Sequence, residues 1–256
     1  MNESVVIIGL GEIGGVFARG FLKLGVPVFP VVRTMNIRAA VESMPNPNLV
    51  VLAVGESDLQ TSIQNIPTQW QDKVVLLQNE LLPRDWVDSN LVDPTVISIW
   101  FEKKKGQDVK VLIPSPVFGK GSDLIKSALS TIDIPVEKKN SASEMEMELI
   151  LKNTYILTTN IAGLECGGNV EFLWNENNAL AMIVANEVID IQEILVKRKL
   201  DRDELMKGFL EAIDGDLAHK CMGRSAPARL KRALEIADEA SLAVPKMRQI
   251  MKDFVD

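Results

Sequence analysis

The chain has few of the residues from which metal sites, disulfide frameworks and histidine-based catalytic sites are built. Its 256 residues include two cysteines, Cys166 and Cys221, and a single histidine, His219. Two thiols provide neither a disulfide framework nor a zinc site, and one histidine excludes a site with several histidine ligands. A Ser-His-Asp triad would have to use His219. No metal site is therefore predicted.

Positive charge is also scarce. The 28 Lys and Arg residues are outnumbered by 35 Asp and Glu residues, which gives a formal net charge of −7. A nucleic-acid-binding protein needs a basic face toward the phosphates, so this balance argues against nucleic acid as a partner. Hydrophobic residues make up 46% and charged residues 25% of the chain, which is typical of a globular protein and excludes a disordered one.

Long apolar runs are missing as well. The stretch from Val5 to Ala18 is interrupted by Glu12 and by glycines, and it is shorter than the roughly 20 residues that a membrane-spanning helix needs. The opening Met1-Asn2-Glu3-Ser4 has no basic segment of the kind that begins a secretion signal. We therefore expect a cytoplasmic protein with no membrane partner.

The first half of the chain has the pattern of an α/β domain. Up to about residue 135, short β-branched segments alternate with amphipathic ones, which is typical of a Rossmann-type, doubly wound sheet. The predicted strands are Val5–Ile8, Val26–Val32, Leu49–Val54, Lys73–Leu77, Thr95–Trp100 and Val109–Ile113, and the predicted helices are Ile13–Leu24, Asn36–Met44 and Asp58–Ile66. A polar bridge over Ile134–Asn140 follows. We predict a dinucleotide-binding domain over residues 1–140.

The second half is predicted to be all-helical. Ser143 and Glu146 have the three-residue spacing of a capping box, which predicts the start of a long helix there. Amphipathic patterns predict the remaining helices over Asn178–Arg198, Asp201–Ala212, Ala226–Ala240 and Pro245–Phe254. We therefore assign residues 141–256 to a helical substrate or dimerisation domain.

One motif carries clear chemical information. The strand Val5–Ile8 continues directly into Gly9-Leu10-Gly11-Glu12-Ile13-Gly14, a Gly-x-Gly-x-x-Gly loop that opens a helix. The first glycine permits a tight turn, the second lets the backbone approach a pyrophosphate, and the third lets helix and strand pack closely. The N–H groups of the first helical turn then point at the negative charge. These six residues are predicted to bind a dinucleotide.

The end of the second predicted strand indicates which dinucleotide is bound. NAD sites usually place an Asp or Glu there for the ribose hydroxyl, whereas this strand ends in Val32-Arg33-Thr34. A guanidinium suits the 2′-phosphate of NADP, so NADP is the predicted cofactor. The alternative is that Arg33 is a solvated surface residue.

Three further residues are candidates for the catalytic end of the site. Asn79 ends a strand at the expected cofactor edge, where its amide can face the nicotinamide or simply cap a turn. Lys152 and Asn160 lie eight residues apart in a predicted helix, so they share roughly one face. A lysine in an apolar helix start is unusual, although a surface lysine with a buried stem is the plain alternative.

Together these features resemble the ketopantoate reductase (2-dehydropantoate 2-reductase) family over nearly the whole chain. The matching pieces are the glycine loop, an arginine after strand two, Leu77-Gln78-Asn79, Lys152 with Asn160, Asn169-Val170-Glu171, Asn186-Glu187-Val188, and the ending Ala243-Val244-Pro245. The resemblance implies an NADPH-dependent reductase of a 2-oxo acid in pantothenate biosynthesis, active as a possible homodimer. By the same resemblance, Lys152 is expected to donate a proton to the ketone oxygen. Asn79 is expected to contact both cofactor and substrate, and the side-chain amides of Asn160 and Asn169 are expected to bind the substrate.

The chain also departs from this family. Glu80 stands where the family has glycine after the strand-four asparagine, and Ile156 replaces an asparagine. Counted back from Pro245, the family's active-site glutamate falls on Ser225, which we include among the substrate-binding candidates. These changes indicate a more apolar or bulkier 2-oxo acid than ketopantoate.

Two other functions remain open. An NADPH-binding sensor or module without turnover is compatible with Ile156 and Ser225. A prephenate- or arogenate-type dehydrogenase is suggested by Pro114-Ser115-Pro-Val-Phe-Gly119, although Ser115 would stand in place of the catalytic histidine. Two local features have simpler interpretations: Lys103-Lys104-Lys105 is predicted to be a solvated hairpin tip, and Trp174 a core anchor between helices.

Overall fold

The computed structural model describes residues 4–255. Contacts divide the chain into two compact units, with the division between Leu149 and Ile150. The predicted domain boundary at residue 140 falls just before the helix Ala142–Cys166, which contains this division. Each unit is described separately below.

The first unit is built on a largely parallel sheet with connecting helices. Its strands are β1 (Val5–Ile8), β2 (Val28–Val31), β3 (Leu49–Leu52), β4 (Val74–Leu76), β5 (Thr95–Ile97), β6 (Phe101–Glu102), β7 (Lys110–Val111), β8 (Ser115–Phe118) and β9 (Val136–Lys138). Its helices are α1 (Glu12–Lys23), α2 (Ile37–Ser43), α3 (Leu59–Gln64) and α4 (Ser122–Ser130), with 3-10 turns at Glu56–Asp58, Thr68–Trp70 and Pro83–Asp85.

The strand order determines where a ligand can bind. In the described part of the chain the main sheet runs β2-β1-β3-β4-β5-β8-β9, so β2 lies on one side of β1 and β3 lies on the other. The first five strands are parallel, whereas β8 is antiparallel to β5. Ligands of doubly wound sheets bind at the carboxyl ends of the strands where the order reverses, which here is the end of β1 and β3.

Apolar strands explain why this sheet is covered on both faces. All four residues of β1 and all four of β3 are buried, so each strand has apolar side chains on both sides of the sheet. On one face these side chains form a core cluster with Phe17 and Phe21 of α1 and Ile125 of α4. The predicted α/β, Rossmann-type class is confirmed.

The structure corrects the sequence interpretation after β5. The predicted strand Val109–Ile113 contributes only β7, which pairs with β6 in a separate two-stranded ribbon. The predicted bridge Ile134–Asn140 contains β9, which extends the main sheet beside β8. The segment Ser115–Phe118, which the prephenate-type alternative depends on, is β8, and the buried Ser115 hydroxyl accepts a hydrogen bond from the Trp100 N–H at 3.0 Å.

The second unit is helical, as predicted. It contains most of α5 (Ala142–Cys166), followed by α6 (Val170–Glu176), α7 (Asn178–Val196), α8 (Arg202–Gly215), α9 (Ala226–Glu239) and α10 (Pro245–Val255). Trp174 packs edge-on against Phe209, with ring centroids 6.1 Å apart. None of the helices in residues 4–255 is long and apolar enough to span a bilayer.

The start of α5 differs from the predicted capping box. The cap is Ser141, whose hydroxyl accepts from the Glu144 N–H at 3.1 Å, while the Glu144 carboxylate accepts from the Asn140 N–H at 3.0 Å. Ser143 and Glu146 have the same spacing, but both lie inside the helix. The motif occurs twice, two residues apart, and the helix uses the earlier copy.

Candidate functional site

The carboxyl edge of the parallel strands gathers the residues predicted to bind a cofactor. The glycine loop follows β1, Arg33 follows β2, and Asn79 follows β4. Because β1, β2, β3 and β4 are parallel, all three features lie at the same edge of the sheet. This is the edge at which the strand order reverses.

Two glycines of the loop are required by the fold. Gly9 has φ +92°, and a Cβ atom there would lie 2.5 Å from the Ala53 carbonyl oxygen. A Cβ atom on Gly14 would lie 2.0 Å from the Gly9 carbonyl oxygen. These distances are far below van der Waals contact, so larger residues would force the β1 turn away from α1 and β3. Packing alone therefore explains both residues.

Gly11 is different, because the fold does not require it. Its φ of −72° and ψ of −166° are extended values that any residue adopts. A Cβ atom built there would have no neighbour within 4 Å among the described residues. The space above Gly11 is open at the N-terminus of α1, where a helix dipole favours negative charge. This open approach to the backbone is what a bound pyrophosphate needs.

The glycine loop borders a groove of about 410 Å³. The residues lining it are Leu10, Gly11, Glu12, Gly15, Val16, Arg19, Lys103, Asp108, Val109 and Ile132. Leu10 is exposed, whereas the side chain of Ile13 packs against the core beneath the loop. The group that Ile13 offers a ligand is therefore its backbone N–H, in the first turn of α1.

Lys103 is a groove residue that the sequence analysis misplaced. Instead of lying solvated at a hairpin tip, it is only 23% exposed, and its ammonium lies 3.5 Å from the Glu12 carboxylate. The same ammonium donates to the backbone carbonyls of Lys104 and Gln107. It therefore brings a positive charge beside the first residue of α1. The β6–β7 ribbon makes this contact, and no local sequence signal predicts it.

Arg33 is available to a ligand. Its side chain is 94% exposed, and one guanidinium nitrogen lies 3.7 Å from the Asp58 carboxylate. An exposed ion pair of this length contributes little free energy of folding, so a phosphate could replace Asp58 as the partner of Arg33 at little cost.

Asn79 sits in a turn with unusual backbone geometry. Its amide nitrogen donates to the Glu56 carboxylate at 3.1 Å, which ties the end of β4 to the turn after β3. The next residue, Glu80, has φ +61°, the left-handed conformation that glycine adopts most easily. The turn therefore keeps a glycine-like backbone although its residue is glutamate. In the structure the Asn79 side chain bonds to Glu56, and its role toward a ligand stays a prediction.

In the helical unit, Lys152 has the electrostatics of a proton donor. It is half-buried in α5. Loss of solvation, and secondarily the positive charge of Arg229, lowers the pKa of its ammonium to about 7. Such a lysine exchanges its proton near neutral pH, whereas an ordinary surface lysine stays charged.

Asn160 lies in a buried network on the same helix. Its amide nitrogen donates to the Cys221 carbonyl at 3.1 Å, and its oxygen accepts from Arg229 Nη1 at 2.6 Å. Asn160 and Arg229 are 5% and 6% exposed. Arg229 was not predicted from the sequence, because its contact with Asn160 spans 69 residues of chain.

The remaining substrate candidates occupy helix starts. The Asn169 side chain accepts from the Phe172 N–H at 2.9 Å and so caps α6. Ser225 is exposed at the start of α9. Asn169 pairs with Lys220 in an isolated bridge, next to the Cys221 that bonds Asn160. The helical unit therefore places Asn160 and Asn169 around one segment, residues 220–221.

A larger cavity of about 750 Å³ lies elsewhere in the first unit. Its walls include Trp86, Phe118 and Met145, and it borders the residues that precede β5. Because β5 is parallel to β4, its start lies at the edge of the sheet opposite the glycine loop. We assign the candidate site to the smaller groove, since the carboxyl edge is where such sheets bind ligands.

Solved structures with this architecture cover nearly the whole chain. The 2-dehydropantoate 2-reductase of Porphyromonas gingivalis W83 superimposes with a TM-score of 0.69 over 100% of both chains, at 11% identity. A dimeric ketopantoate reductase from Staphylococcus aureus gives a TM-score of 0.65 over 98% of this chain and 97% of that chain, at 14% identity. The chain has the ketopantoate reductase fold.

The same fold includes a D-mandelate dehydrogenase whose structure contains NADH. It matches with a TM-score of 0.67 over 97% of this chain and 96% of that chain, at 14% identity. No protein-family profile matches the sequence, and no curated protein matches it by sequence. The likeness to the ketopantoate reductases is therefore one of fold.

Proposed function

We propose that the protein is an NADPH-dependent reductase acting on the ketone of a 2-oxo acid similar to 2-dehydropantoate. Lys152 carries this proposal, because its pKa of about 7 suits a general acid at neutral pH. The structural neighbours named as 2-dehydropantoate 2-reductases and as a D-mandelate dehydrogenase support the same class of reaction.

The residues after β1 fit a dinucleotide. The open space above Gly11 admits a pyrophosphate, and backbone N–H groups of the loop Gly9–Gly14 would hold it at the α1 N-terminus. The exposed Arg33 would bind the 2′-phosphate, which favours NADPH over NADH. Asn79 is proposed to contact the nicotinamide end and the substrate.

A bound NADPH would supply the hydride in this scheme. As the ketone carbon accepts it, negative charge develops on the ketone oxygen, and the Lys152 ammonium stabilises that charge more strongly in the transition state than in the ground state. Lys152 Nζ then donates its proton to the oxygen. The neutral amine that remains is acceptable near pH 7, because burial disfavours the charged form. Asn160, Asn169 and Ser225 are proposed to orient the substrate through polar contacts.

The decisive experiment measures NADPH oxidation with a panel of 2-oxo acids for the unmodified protein and for Lys152→Met. We expect turnover with at least one 2-oxo acid more apolar or bulkier than ketopantoate, and a roughly 10²–10⁴-fold lower rate in the variant. NADPH affinity should stay nearly unchanged. Lys207→Met, which removes an exposed lysine of α8, is the matched control and should keep full activity. Equal rates in the Lys152 variant and the control would remove the catalytic assignment.

The pH profile tests the same residue independently. Lys152 carries its transferable proton only below its pKa, so the reduction rate should fall as pH rises through about 7. The residual activity of Lys152→Met should lack this step. A profile with its only inflection far above pH 8 would contradict the assignment.

A second candidate function is an NADPH-binding module without turnover. The observation that favours it is Ser225, an exposed serine where the resemblance expects a glutamate. Tight NADPH binding together with no oxidation of NADPH by any of the 2-oxo acids would establish this function. We also propose that the protein is a homodimer, since one structural neighbour is described as dimeric. Size-exclusion chromatography with light scattering would measure the mass in solution.

A further inference from the structure

The β6–β7 ribbon holds a cation beside the start of α1. Lys103 directly follows β6, and its ammonium lies 3.5 Å from the Glu12 carboxylate. The same ammonium donates to the backbone carbonyls of Lys104, at 2.9 Å, and of Gln107. These two bonds use two of the three N–H donors of an ammonium, which leaves the third for Glu12 or for a ligand. The ribbon therefore fixes where this charge sits.

The backbone of α1 is open in the groove that Lys103 lines. The groove has a volume of about 410 Å³, and Gly11 and Gly15 line it one helical turn apart. A Cβ atom built on Gly15, like one built on Gly11, would have no neighbour within 4 Å among the described residues. Glycine inside a helix is less stable than alanine, and packing does not require it here. Both glycines therefore leave room for a ligand against the helix backbone.

Glu12 explains why an anion in this groove needs a cation as well as backbone N–H groups. The first-turn N–H groups of α1 favour an anion, but the Glu12 carboxylate lines the same groove and repels it. The side chains of Lys103 and Glu12 are 23% and 44% exposed, and a partly exposed ion pair at 3.5 Å contributes little free energy. A phosphate oxygen forms a shorter and stronger bond with an ammonium. Lys103 can therefore exchange Glu12 for a phosphate.

We propose that Lys103 binds the pyrophosphate of the dinucleotide, together with the backbone N–H groups of the loop Gly9–Gly14. The inference rests on the proposed dinucleotide cofactor and adds a charged contact that a distant segment supplies. Lys103 then recognises a group that NADPH and NADH share, whereas Arg33 is proposed to bind the 2′-phosphate that only NADPH carries. The β6–β7 ribbon becomes part of the cofactor site.

Binding titrations with NADPH, NADH and ADP-ribose test this contact, because all three contain the pyrophosphate. Lys103→Gln should weaken the binding of each by roughly 10–10²-fold, the loss of one charge-assisted hydrogen bond, and leave the ratio of NADPH to NADH affinity unchanged. Lys103→Arg keeps the charge and should keep most of the affinity. Lys105→Gln removes an exposed lysine of the same ribbon and is the matched control, with no change expected. Unaltered binding of ADP-ribose to Lys103→Gln would overturn the proposal.

A second pair of variants separates contact with the ligand from neutralisation of Glu12. Glu12→Gln removes the repelling carboxylate, so it should bind ADP-ribose at least as tightly as the unmodified protein. Adding Lys103→Gln to this variant should again weaken binding by roughly 10-fold or more, because the contact with the pyrophosphate is lost. This loss should shrink at high salt, which screens an ionic contact. No further loss in the double variant, or a loss that salt leaves unchanged, would show that Lys103 only neutralises Glu12 or supports the ribbon.

Chemical labelling needs no variant and covers the case in which Lys103→Gln does not fold. Acetic anhydride acetylates the lysines of the folded protein, and peptide mass spectrometry measures each rate with and without ADP-ribose. Saturating ADP-ribose should slow acetylation of Lys103 several-fold and leave that of Lys105 unchanged. This result would support the Lys103 assignment even if no 2-oxo acid is reduced. Equal acetylation of Lys103 in both samples, or failure of ADP-ribose to bind the unmodified protein, overturns it.

Discussion

At the scale of single residues, the glycine loop separates what the fold needs from what a ligand needs. Gly9 and Gly14 have no room for a side chain, because carbonyl oxygens lie 2.5 and 2.0 Å from where their Cβ atoms would be. Gly11 has room and ordinary backbone angles. A substitution at Gly11 therefore tests ligand binding without testing folding.

We expect Gly11→Val to lose NADPH binding by at least about 10²-fold while the unliganded protein keeps its stability within about 1 kcal/mol. The valine methyls would fill the space needed by a pyrophosphate. Fluorescence titration with NADPH and urea unfolding measure the two effects. Gly223→Val, at an equally open position in the helical unit, should change neither. Unaltered NADPH affinity in Gly11→Val would place the cofactor elsewhere.

Arg33 is proposed to decide whether NADPH or NADH binds more tightly. Its guanidinium is exposed and weakly paired, so binding the 2′-phosphate costs little desolvation. NADPH should bind more tightly than NADH, and Arg33→Ala should narrow that gap by about 1.5–3 kcal/mol, the value of a charge-assisted hydrogen bond. Isothermal titration with both cofactors measures it, with Arg38→Ala as the neighbouring arginine control. Equal affinities in the unmodified protein would exclude Arg33 as the phosphate contact.

The sequence predicted only the local parts of the candidate site. Gly9, Gly11 and Gly14 were identifiable because a strand, a loop and a helix are contiguous there. Lys103 and Arg229 were not, since their partners Glu12 and Asn160 are 91 and 69 residues away. Contacts of this kind depend on how distant segments pack, and no periodicity or motif records them.

At the scale of elements, a helix or strand could be predicted where its segment has a clear hydrophobic pattern. β1 and β3 are four-residue apolar runs and were predicted within two residues of their ends. β8 contains Pro116, which suggests a turn, and β9 has two exposed charged residues out of three because it lies at the edge of the sheet. Edge strands carry little hydrophobic signal.

A buried carboxylate fixes the last helix. Glu187 of α7 is 6% exposed and accepts hydrogen bonds from the N–H groups of Lys246 and Met247 at 2.8 and 2.9 Å. These are first-turn donors of α10, which follow Pro245 and have no partner within their own helix. Glu187 therefore acts as a cap supplied by another helix. In the sequence it stood out only as part of Asn186-Glu187-Val188, which resembles the ketopantoate reductase family.

Glu187→Ala should destabilise the protein by about 1–3 kcal/mol, because it removes the acceptor of one buried and one half-buried N–H group. Glu187→Gln should cost less, since its amide oxygen still accepts. Urea unfolding followed by circular dichroism measures both. Glu235→Ala removes an exposed glutamate that pairs with Lys231 at 3.9 Å, and it should stay within about 0.5 kcal/mol of the unmodified protein. A loss no larger than this control would show that α10 does not depend on the cap.

At the scale of the whole molecule, the chain combines a sheet unit and a helical unit divided between Leu149 and Ile150. The cofactor residues proposed here lie in the first unit, whereas Lys152, Asn160 and Arg229 lie in the second. Ligands specific to each unit should therefore stabilise different parts of the chain.

Saturating NADPH should stabilise the folded protein by about 2.7 kcal/mol when its concentration is 100 times Kd. Amide hydrogen exchange should slow most in residues 4–149, above all in β1, the glycine loop and α1. Protection of the helical unit should be smaller. The exchange experiment with and without NADPH measures this distribution, and protection confined to residues 150–255 would contradict the proposed cofactor site.

The carboxyl edge of the parallel strands holds two residues whose replacement should raise thermal stability. Glycine at position 11 leaves the unfolded chain more freedom than an alanine would, and glutamate at position 80 holds a φ of +61° that costs about 1 kcal/mol more than it would for glycine. Directed evolution that selects for melting temperature alone would therefore be expected to replace these two residues in its first rounds. The variants selected at Gly11 would be more thermostable but unable to bind the dinucleotide. Such a selection therefore needs NADPH binding as a second criterion.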